Sequence, residues 1–162
     1  MTKTLDLGCG PFPKNPFNAD EVYGIDIRAS DNSQIAVADL NVEAIPHEDC
    51  SFDTVTAFDF LEHVPRILYI PERRFSFVEL MNEIYRVLKF GGLFLSLTPA
   101  YPSAPAFRDP THVNIITDET FSLYFCAPEP LAKMYGFNGL FQLEQQYWHE
   151  NKVHIITTLR KL

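Results

Sequence analysis

Short runs of apolar residues, each closed by a glycine, an aspartate or a proline, recur through the first third of the chain. They cover Thr4–Leu7, Val22–Ile27, Ile35–Ala38 and Phe52–Phe58. Runs of this length, apolar throughout and bounded by turn residues, are typical of parallel β-strands that are covered on both faces. The chain is therefore predicted to begin with strands of a parallel sheet.

An amphipathic helix is predicted over Phe77–Leu88, because apolar residues recur there at intervals of three and four while charged residues fall on the other side. The apolar positions are Phe77, Leu80, Met81, Ile84, Val87 and Leu88. Lys89 suits a helix C-terminus and Gly91 can supply the reversal that follows it. The next apolar run, Leu93–Leu97, predicts another buried strand.

The rest of the chain is predicted to form a loop, two short helices and a hairpin. Four prolines between Pro99 and Pro110 disfavour regular structure, and a loop this long in a compact domain is often functional. The helices are predicted to start at a Thr117 cap, with Asp118 and Glu119 in the first turn, and over Leu131–Tyr135. Two β-rich runs, Leu140–His149 and Val153–Leu159, flank a three-residue connection that requires antiparallel pairing.

Helical and strand patterns in this order predict an α/β fold. We expect a three-layer sandwich built on a mostly parallel seven-stranded sheet, with an antiparallel C-terminal strand. The 162 residues, 46% of them hydrophobic, are enough for one core, so residues 1–162 are predicted to form a single domain.

Charge and cysteine content narrow the classes of partner. A formal charge of −8 disfavours a nucleic-acid substrate, because phosphates meet a repulsive average field. The three cysteines lack the spacing of a zinc site or a disulfide framework, and no apolar run is long enough to cross a bilayer. We expect a cytoplasmic protein with no membrane association and no metal site.

Glycines and acids follow the predicted strands. In the Leu5–Pro11 segment a strand runs into Gly8 and Gly10, where the missing Cβ atoms let a ligand approach the backbone. A tight turn without a ligand would also explain these glycines. Asp26 ends the second strand, where an acid can accept both hydroxyls of a ribose, and Asp39 follows the third strand, where it can accept from an adenine amino group. These acids favour a nucleoside-containing ligand.

With these motifs the sequence resembles the class I S-adenosylmethionine (SAM)-dependent methyltransferases, in particular a compact, type-11-like branch with a shortened first helix. The matching segments are Leu5–Gly10, Tyr23–Asp26, Ala38–Leu40, Phe52–Val55 with Leu61–His63, and Leu88–Gly92. The resemblance implies that SAM is the cofactor. It implies cofactor-binding residues at Asp6, Gly8, Gly10, Asp26, Ile27, Asp39, Leu40 and Phe58. Gly8 and Gly10 would border the methionine part, Asp26 would hold the ribose, Asp39 and Leu40 would flank the adenine, and Phe58 would cover the cofactor.

The first connection departs from this family pattern. Three prolines, Pro11, Pro13 and Pro16, lie in the eleven residues between Gly10 and Val22 and forbid a long helix, so a loop or a single turn is predicted. The same stretch weakens an oxidoreductase alternative, because Pro13 stands where a nicotinamide-binding motif needs its third glycine.

Two histidines are the candidate catalytic residues. The resemblance places His63, together with Glu62, at the family position closest to the transferred methyl, where an imidazole can take a proton from a hydroxyl or an amine. His112 lies in the segment after the fifth strand, which usually shapes the substrate pocket. Turn-capping for His63 and a surface position for His112 are the structural alternatives. Residues 64–75 and 99–136 are expected to cover the pocket.

The predicted activity is methyl transfer from SAM to an oxygen or nitrogen of a small molecule, by a monomer or a homodimer. The main alternative is a catalytically silent methyltransferase-like module that binds SAM or a protein partner. The sequence does not identify the substrate.

Overall fold

A computed structural model describes all 162 residues and contains one seven-stranded sheet. The strands are β1 (Lys3–Leu7), β2 (Glu21–Asp26), β3 (Ile35–Val37), β4 (Phe52–Phe58), β5 (Leu88–Pro99), β6 (Phe141–Trp148) and β7 (His154–Lys161). Their order across the sheet is β3-β2-β1-β4-β5-β7-β6. The first five strands pair in parallel, and β7 pairs antiparallel with both β5 and β6. The predicted α/β fold class is confirmed.

The helices that pack on the sheet share one of its faces. They are α1 (Ser76–Val87), the short helix α3 (Thr120–Tyr124) and the 3-10 helix Leu131–Tyr135. Phe77 of α1 lies 6.5 Å, between ring centroids, from Phe121 of α3, and Phe121 lies at the same distance from Phe94 of β5. All three rings are buried, and full burial of an aromatic side chain contributes roughly 1.5–3 kcal/mol. The main hydrophobic core therefore lies between this face and these helices.

The layer on the other face contains no helix. Residues 9–20 cross β1 and β2 as turns and irregular chain, as the prolines predict. The backbone N–H of Lys14 donates to Asp6 Oδ2 at 2.8 Å, which anchors the segment to β1. A Cβ on Gly24 of β2 would lie 2.4 Å from Cys9 Sγ and 2.8 Å from Pro13 Cγ, so Gly24 allows the segment to pack directly on the strand.

The junction between α1 and β5 differs from the sequence prediction. The helix ends at Val87, and Leu88 already has an extended backbone and pairs with Phe52 of β4. The strand therefore starts five residues before the predicted Leu93. Gly91 does adopt a left-handed conformation, with φ of +75°, but it does so within the strand and not at the helix end. Lys89 forms an ion pair with Asp53 at 2.8 Å.

Two predictions about the segment after β5 were wrong in detail. The proline-rich stretch contains one helical turn, α2 (Pro105–Arg108), because proline is tolerated in the first turn of a helix. The helix predicted to start at a Thr117 cap begins at Thr120 instead. Thr117 Oγ1 accepts from the N–H of Glu119, in the turn that precedes the helix. None of the helices is both long and apolar enough to span a membrane.

Candidate cofactor and active site

A cavity of about 310 Å³ opens at the carboxyl ends of β1, β2, β3 and β4. Its volume falls at the lower end of the range typical of small-molecule sites. Five predicted cofactor-binding residues line it, together with one predicted catalytic residue: Gly8, Asp26, Ile27, Asp39, Leu40 and His63. The strand order thus brings together residues that are up to 55 positions apart in the chain.

The glycine turn after β1 forms one wall. Gly8 and Gly10 adopt left-handed conformations, with φ of +65° and +59°, which glycine reaches at little cost. A Cβ on Gly8 would lie 2.5 Å from the ring of Phe60, so only glycine fits between β1 and the exit of β4. Gly10 does not line the cavity, but its N–H donates to Asp26 Oδ2 at 2.8 Å and ties the turn to β2.

Asp26 carries the most heavily hydrogen-bonded carboxylate of the cavity. Besides Gly10, its oxygens accept from the backbone N–H of Arg28 at 3.0 Å and from the Arg28 guanidinium Nε at 2.9 Å. The Arg28 guanidinium lowers the pKa of Asp26 below its ordinary value, so the group is ionised at neutral pH. The Arg28 side chain is 75% exposed, and its Nη2 lies 3.7 Å from an ideal Gly10 Cβ. Sequence reasoning missed Arg28.

Asp39 closes the far wall in a turn after β3. Its N–H donates to Glu43 Oε2 at 2.6 Å, and its Oδ1 accepts from the N–H of Asn41 at 3.1 Å. One side of this carboxylate therefore fixes the turn. Ile27, on the β2 side, is apolar and 62% exposed.

Like Gly10, the predicted cofactor residues Asp6 and Phe58 lie outside the cavity. Asp6 is buried beneath residues 9–20, where it accepts from Thr56 and Lys14, and burial raises its pKa. Phe58 lies under the Lys14 ammonium, 4.5 Å from its ring centroid. The next residues, Asp59 and Phe60, line the cavity instead, because Asp59 adopts a φ of +49° and redirects the chain. Asp59 directly follows the predicted strand Phe52–Phe58, and this position in the sequence could have indicated that it lines the cavity.

His63 and His112 are neighbours, with ring centroids 4.9 Å apart, although His112 does not line the cavity. Thr111 Oγ1 donates to Asp109 Oδ1 at 2.6 Å, so it can only accept from His63 Nδ1, at 3.0 Å. His112 Nδ1 lies 3.2 Å from the carbonyl of Ala106, which also can only accept. In their neutral forms both rings therefore carry the proton on Nδ1 and leave Nε2 with a free lone pair.

Residues 5–96 match a protein family described as a methyltransferase domain. The matched region includes every strand that contributes to the cavity. The chain belongs to this methyltransferase family. No curated protein sequence matches it significantly.

Solved structures of low sequence identity share the fold of this methyltransferase. An S-adenosylmethionine-dependent methyltransferase from Mesorhizobium loti is 15% identical with a TM-score of 0.58, over 98% of this chain and 90% of that chain. A protein from Pyrococcus horikoshii OT3 is 20% identical with a TM-score of 0.63, over 99% and 82%. The [4+2]-cyclase SpnF is 17% identical with a TM-score of 0.65, over 99% and 74%. The last protein shows that this fold also supports other reactions.

Glu62 of the methyltransferase lies beside the two histidines but is buried. Its Oε2 accepts from Thr98 Oγ1 at 2.8 Å, and its backbone carbonyl accepts from the N–H groups of Val113 and Asn114. Burial raises the pKa of the Glu62 carboxyl. Glu62 thereby joins the exit of β4 to the segment after β5.

The Glu62, His63 and His112 side chains could together ligate a metal ion. One potential ligand atom from each lies within 4.8 Å of the others. The hydrogen bond from Thr98 already occupies one Glu62 oxygen. In this structure the three side chains are hydrogen-bonded within the chain, Glu62 to Thr98, His63 to Thr111 and His112 to the carbonyl of Ala106.

Two arginines of the segment that follows β4 are engaged in contacts within the chain. Arg66 donates through Nε to Asn114 Oδ1 at 2.7 Å, and also to the carbonyl of Ile115. Arg74 is paired with Glu79. Burial raises the pKa of the Cys9 thiol to about 11, so this cysteine remains protonated at neutral pH and packs as a small side chain.

Proposed function

We propose that this methyltransferase binds SAM in the cavity and transfers its methyl group to an oxygen or nitrogen of a small molecule. One observation carries the proposal: the glycine turn, two acids and His63 surround a single cavity at the carboxyl ends of neighbouring parallel strands. Ligands of open α/β sheets bind at this edge. The unpaired cysteines and the acidic net charge support a cytoplasmic enzyme that acts on neither nucleic acid nor membranes.

The residues around the cavity fit the parts of SAM. The Asp26 carboxylate can accept from both ribose hydroxyls, provided that the Arg28 guanidinium moves aside. Gly8 and Gly10 leave room beside the backbone for the methionine part, and Asp39 with Leu40 would flank the adenine. SAM supplies an electrophilic methyl group on a sulfonium.

His63 is the proposed proton acceptor. With SAM bound as the methyl donor, His63 Nε2 would accept the proton that the substrate hydroxyl or amine loses when it is methylated. The Nδ1–H bond to Thr111 fixes the ring in the tautomer that this step requires. His112 would hold the substrate side of the site through its contact with His63. Methyl transfer also relies on positioning, which residues 64–75 and 99–136 would supply.

A thermal-shift experiment tests the cofactor assignment. SAM and its demethylated product should each raise the melting temperature, whereas NAD should not, because a ligand that binds only the folded state stabilises it by mass action. At 100 times its dissociation constant a ligand contributes about 2.7 kcal/mol. An equal response to NAD would contradict the assignment.

The role of His63 is tested by turnover once a substrate is found. His63→Ala should lower turnover by roughly 100- to 10,000-fold with SAM affinity nearly unchanged. His149→Ala, on the hairpin far along the chain, is the matched control. Near-wild-type turnover of SAM-saturated His63→Ala would eliminate the general base. If the wild type binds SAM but turns over no substrate, the result would favour the alternative of a catalytically silent methyltransferase-like module.

A further inference from the structure

The sheet has an apolar surface that no element of the chain covers. Along β5 and β7, alternate side chains such as Phe94, Ile155 and Leu159 are at most 1% exposed and belong to the core. The intervening residues are partly exposed and lie outside that core. We call them the open face; they are Leu93, Leu95, Leu97, Ile156 and Thr158, with Tyr147 beside them on β6.

The open face results from the short first connection. Helices α1 and α3 pack on the opposite face, and residues 9–20 pack on this one. Their contacts reach β2 at Gly24, β1 at Asp6 and β4 at Phe58. The strands β5, β7 and β6 lie beyond that segment. Four large aliphatic side chains therefore remain in contact with water, at a cost of about 25 cal/mol for each Å² exposed.

We propose that the open face binds the open face of a second copy of this chain. Side chains of similar size stand two residues apart along β5 and on the adjacent strand β7. Two such arrays can interdigitate face to face, as the inner faces of a β-sandwich do. The two partners would be related by a two-fold axis, so each residue contact would occur twice.

Charges at the two ends of the open face support a second copy as the occupant. At the Leu93 end lies Arg160, 39% exposed and paired with Glu144; at the Leu97 end lies Asp59, 57% exposed and paired with His154. A two-fold axis across the strands would bring the Arg160–Glu144 pair of each copy to the Asp59–His154 pair of the other, where each charge could find a second partner of opposite sign. The middle of the face carries no acidic side chain, so the repulsion expected from a net charge of −8 is weakest there.

The size of the face indicates weak association. Three strands about 4.8 Å apart, with five residues rising about 3.3 Å each, give a patch of about 15 by 17 Å. Two such patches together bury only about 500 Å², which is less than a stable interface buries, so we expect a transient dimer with a dissociation constant of roughly tens of micromolar.

Sedimentation velocity of the 162-residue chain between about 5 and 200 µM tests the proposal. The wild type should approach twice the mass of one chain as concentration rises. Leu95→Glu should raise the dimer dissociation constant by about 100-fold or more, because it places an unpaired carboxylate in the apolar contact. Leu123→Glu, at a 48% exposed leucine of α3, is the matched control and should dimerise normally.

Two further variants keep the test decisive. Thr158→Arg should also abolish dimerisation. It provides a second test of the same contact if Leu95→Glu does not fold. Arg160→Glu should weaken the dimer about 10-fold at low salt and much less at 0.5 M NaCl. The SAM thermal shift of the monomeric variants reports on the proposed function separately, since this inference does not rest on it. A monomeric wild type at 200 µM, or dimers unaffected by Leu95→Glu, would overturn the proposal.

Discussion

The Asp26 carboxylate is the residue on which cofactor binding depends most directly. It is nearly buried, ionised and held in place by the N–H groups of Gly10 and Arg28. A carboxylate fixed by backbone donors keeps its position when a ligand arrives, so little free energy is spent on ordering it. Its remaining acceptor positions face the guanidinium of Arg28.

Replacing Asp26 with alanine should weaken SAM binding by about 2–4 kcal/mol, which is roughly 30- to 1,000-fold. Two hydrogen bonds to one ionised acceptor would be lost. Isothermal titration calorimetry measures the change, and Asp31→Ala, at an exposed acid nearby in the chain, is the control. An unchanged dissociation constant would mean that the ribose lies elsewhere.

Arg28→Ala should have the opposite effect and tighten SAM binding by roughly 3- to 10-fold. The guanidinium occupies the acceptor positions that the ribose needs, and its positive charge opposes the sulfonium. The demethylated product lacks the sulfonium and should gain less. If Arg28→Ala binds SAM more weakly than the wild type, Arg28 contacts the bound cofactor directly.

Glu62→Gln should stabilise the protein at neutral pH. Burial raises the folded-state pKa of Glu62 above its ordinary 4.5, so the folded state binds this proton more tightly than the unfolded state. The wild type therefore loses stability as pH rises from about 4.5 through the raised pKa. Glutamine keeps an acceptor for Thr98 but carries no charge.

The expected gain for Glu62→Gln at pH 7 is about 2–4 °C in melting temperature, the shift that about 1 kcal/mol produces in a domain of this size. Melting curves at pH 4 and pH 7 measure it, with Glu150→Gln in the exposed hairpin turn as the control. The difference in melting temperature between Glu62→Gln and the wild type should disappear at pH 4. A variant that is equally destabilised at both pH values would show that the ionised carboxylate supports the fold.

At the level of secondary-structure elements, local patterns predicted the strands and α1 well because each has a distinct apolar period. The start of β5 at Leu88 depends instead on pairing with Phe52, which no local pattern records. Likewise, Phe58 was expected to cover the cofactor, whereas Phe60 lines the cavity, since one left-handed residue, Asp59, changes which side chain faces the cavity. Single site residues could be predicted from the sequence. The contacts between residues that are far apart in the chain could be seen only in the three-dimensional structure.

The meeting of the β4 exit with the segment after β5 is one such contact, and Asn114 holds it together. Fully buried, Asn114 donates to the carbonyl of Leu61 at 3.0 Å and accepts from Arg66 Nε at 2.7 Å. This joint positions His63 and His112, which are 49 residues apart in the chain.

Asn114→Ala should destabilise the protein by about 2–4 kcal/mol, because it leaves the buried carbonyl of Leu61 without this donor and removes one of the two acceptors of the Arg66 guanidinium. Urea unfolding measures the loss, and Asn138→Ala, at an exposed asparagine, is the control. Turnover should fall more than SAM affinity, since the histidines shift while the glycine turn and Asp26 remain. Unchanged stability would mean that other contacts suffice to hold the two segments.

At the scale of the whole molecule, the formal charge of −8 acts on every ligand that approaches. Phosphate polymers are repelled, whereas cations are drawn toward the surface and toward clefts lined by acids. Asp26, Asp39 and Asp59 all line the cavity, so the local field has the same sign as the average one. The overall charge of the protein and the charge of its cavity therefore both favour cationic ligands.

This field predicts that SAM association depends on ionic strength. SAM carries one net positive charge at neutral pH, whereas its demethylated product is neutral overall. Raising NaCl from 20 to 300 mM shortens the Debye length from about 20 Å to about 6 Å and should slow SAM association several-fold.

Stopped-flow tryptophan fluorescence can follow binding through Trp148, the single tryptophan, or a competing fluorescent ligand can report it. The demethylated product is the matched control, because its association should change little. If both ligands slow equally, the effect of salt is on the protein's structure and not on long-range attraction, and the acidic surface then has no part in cofactor capture.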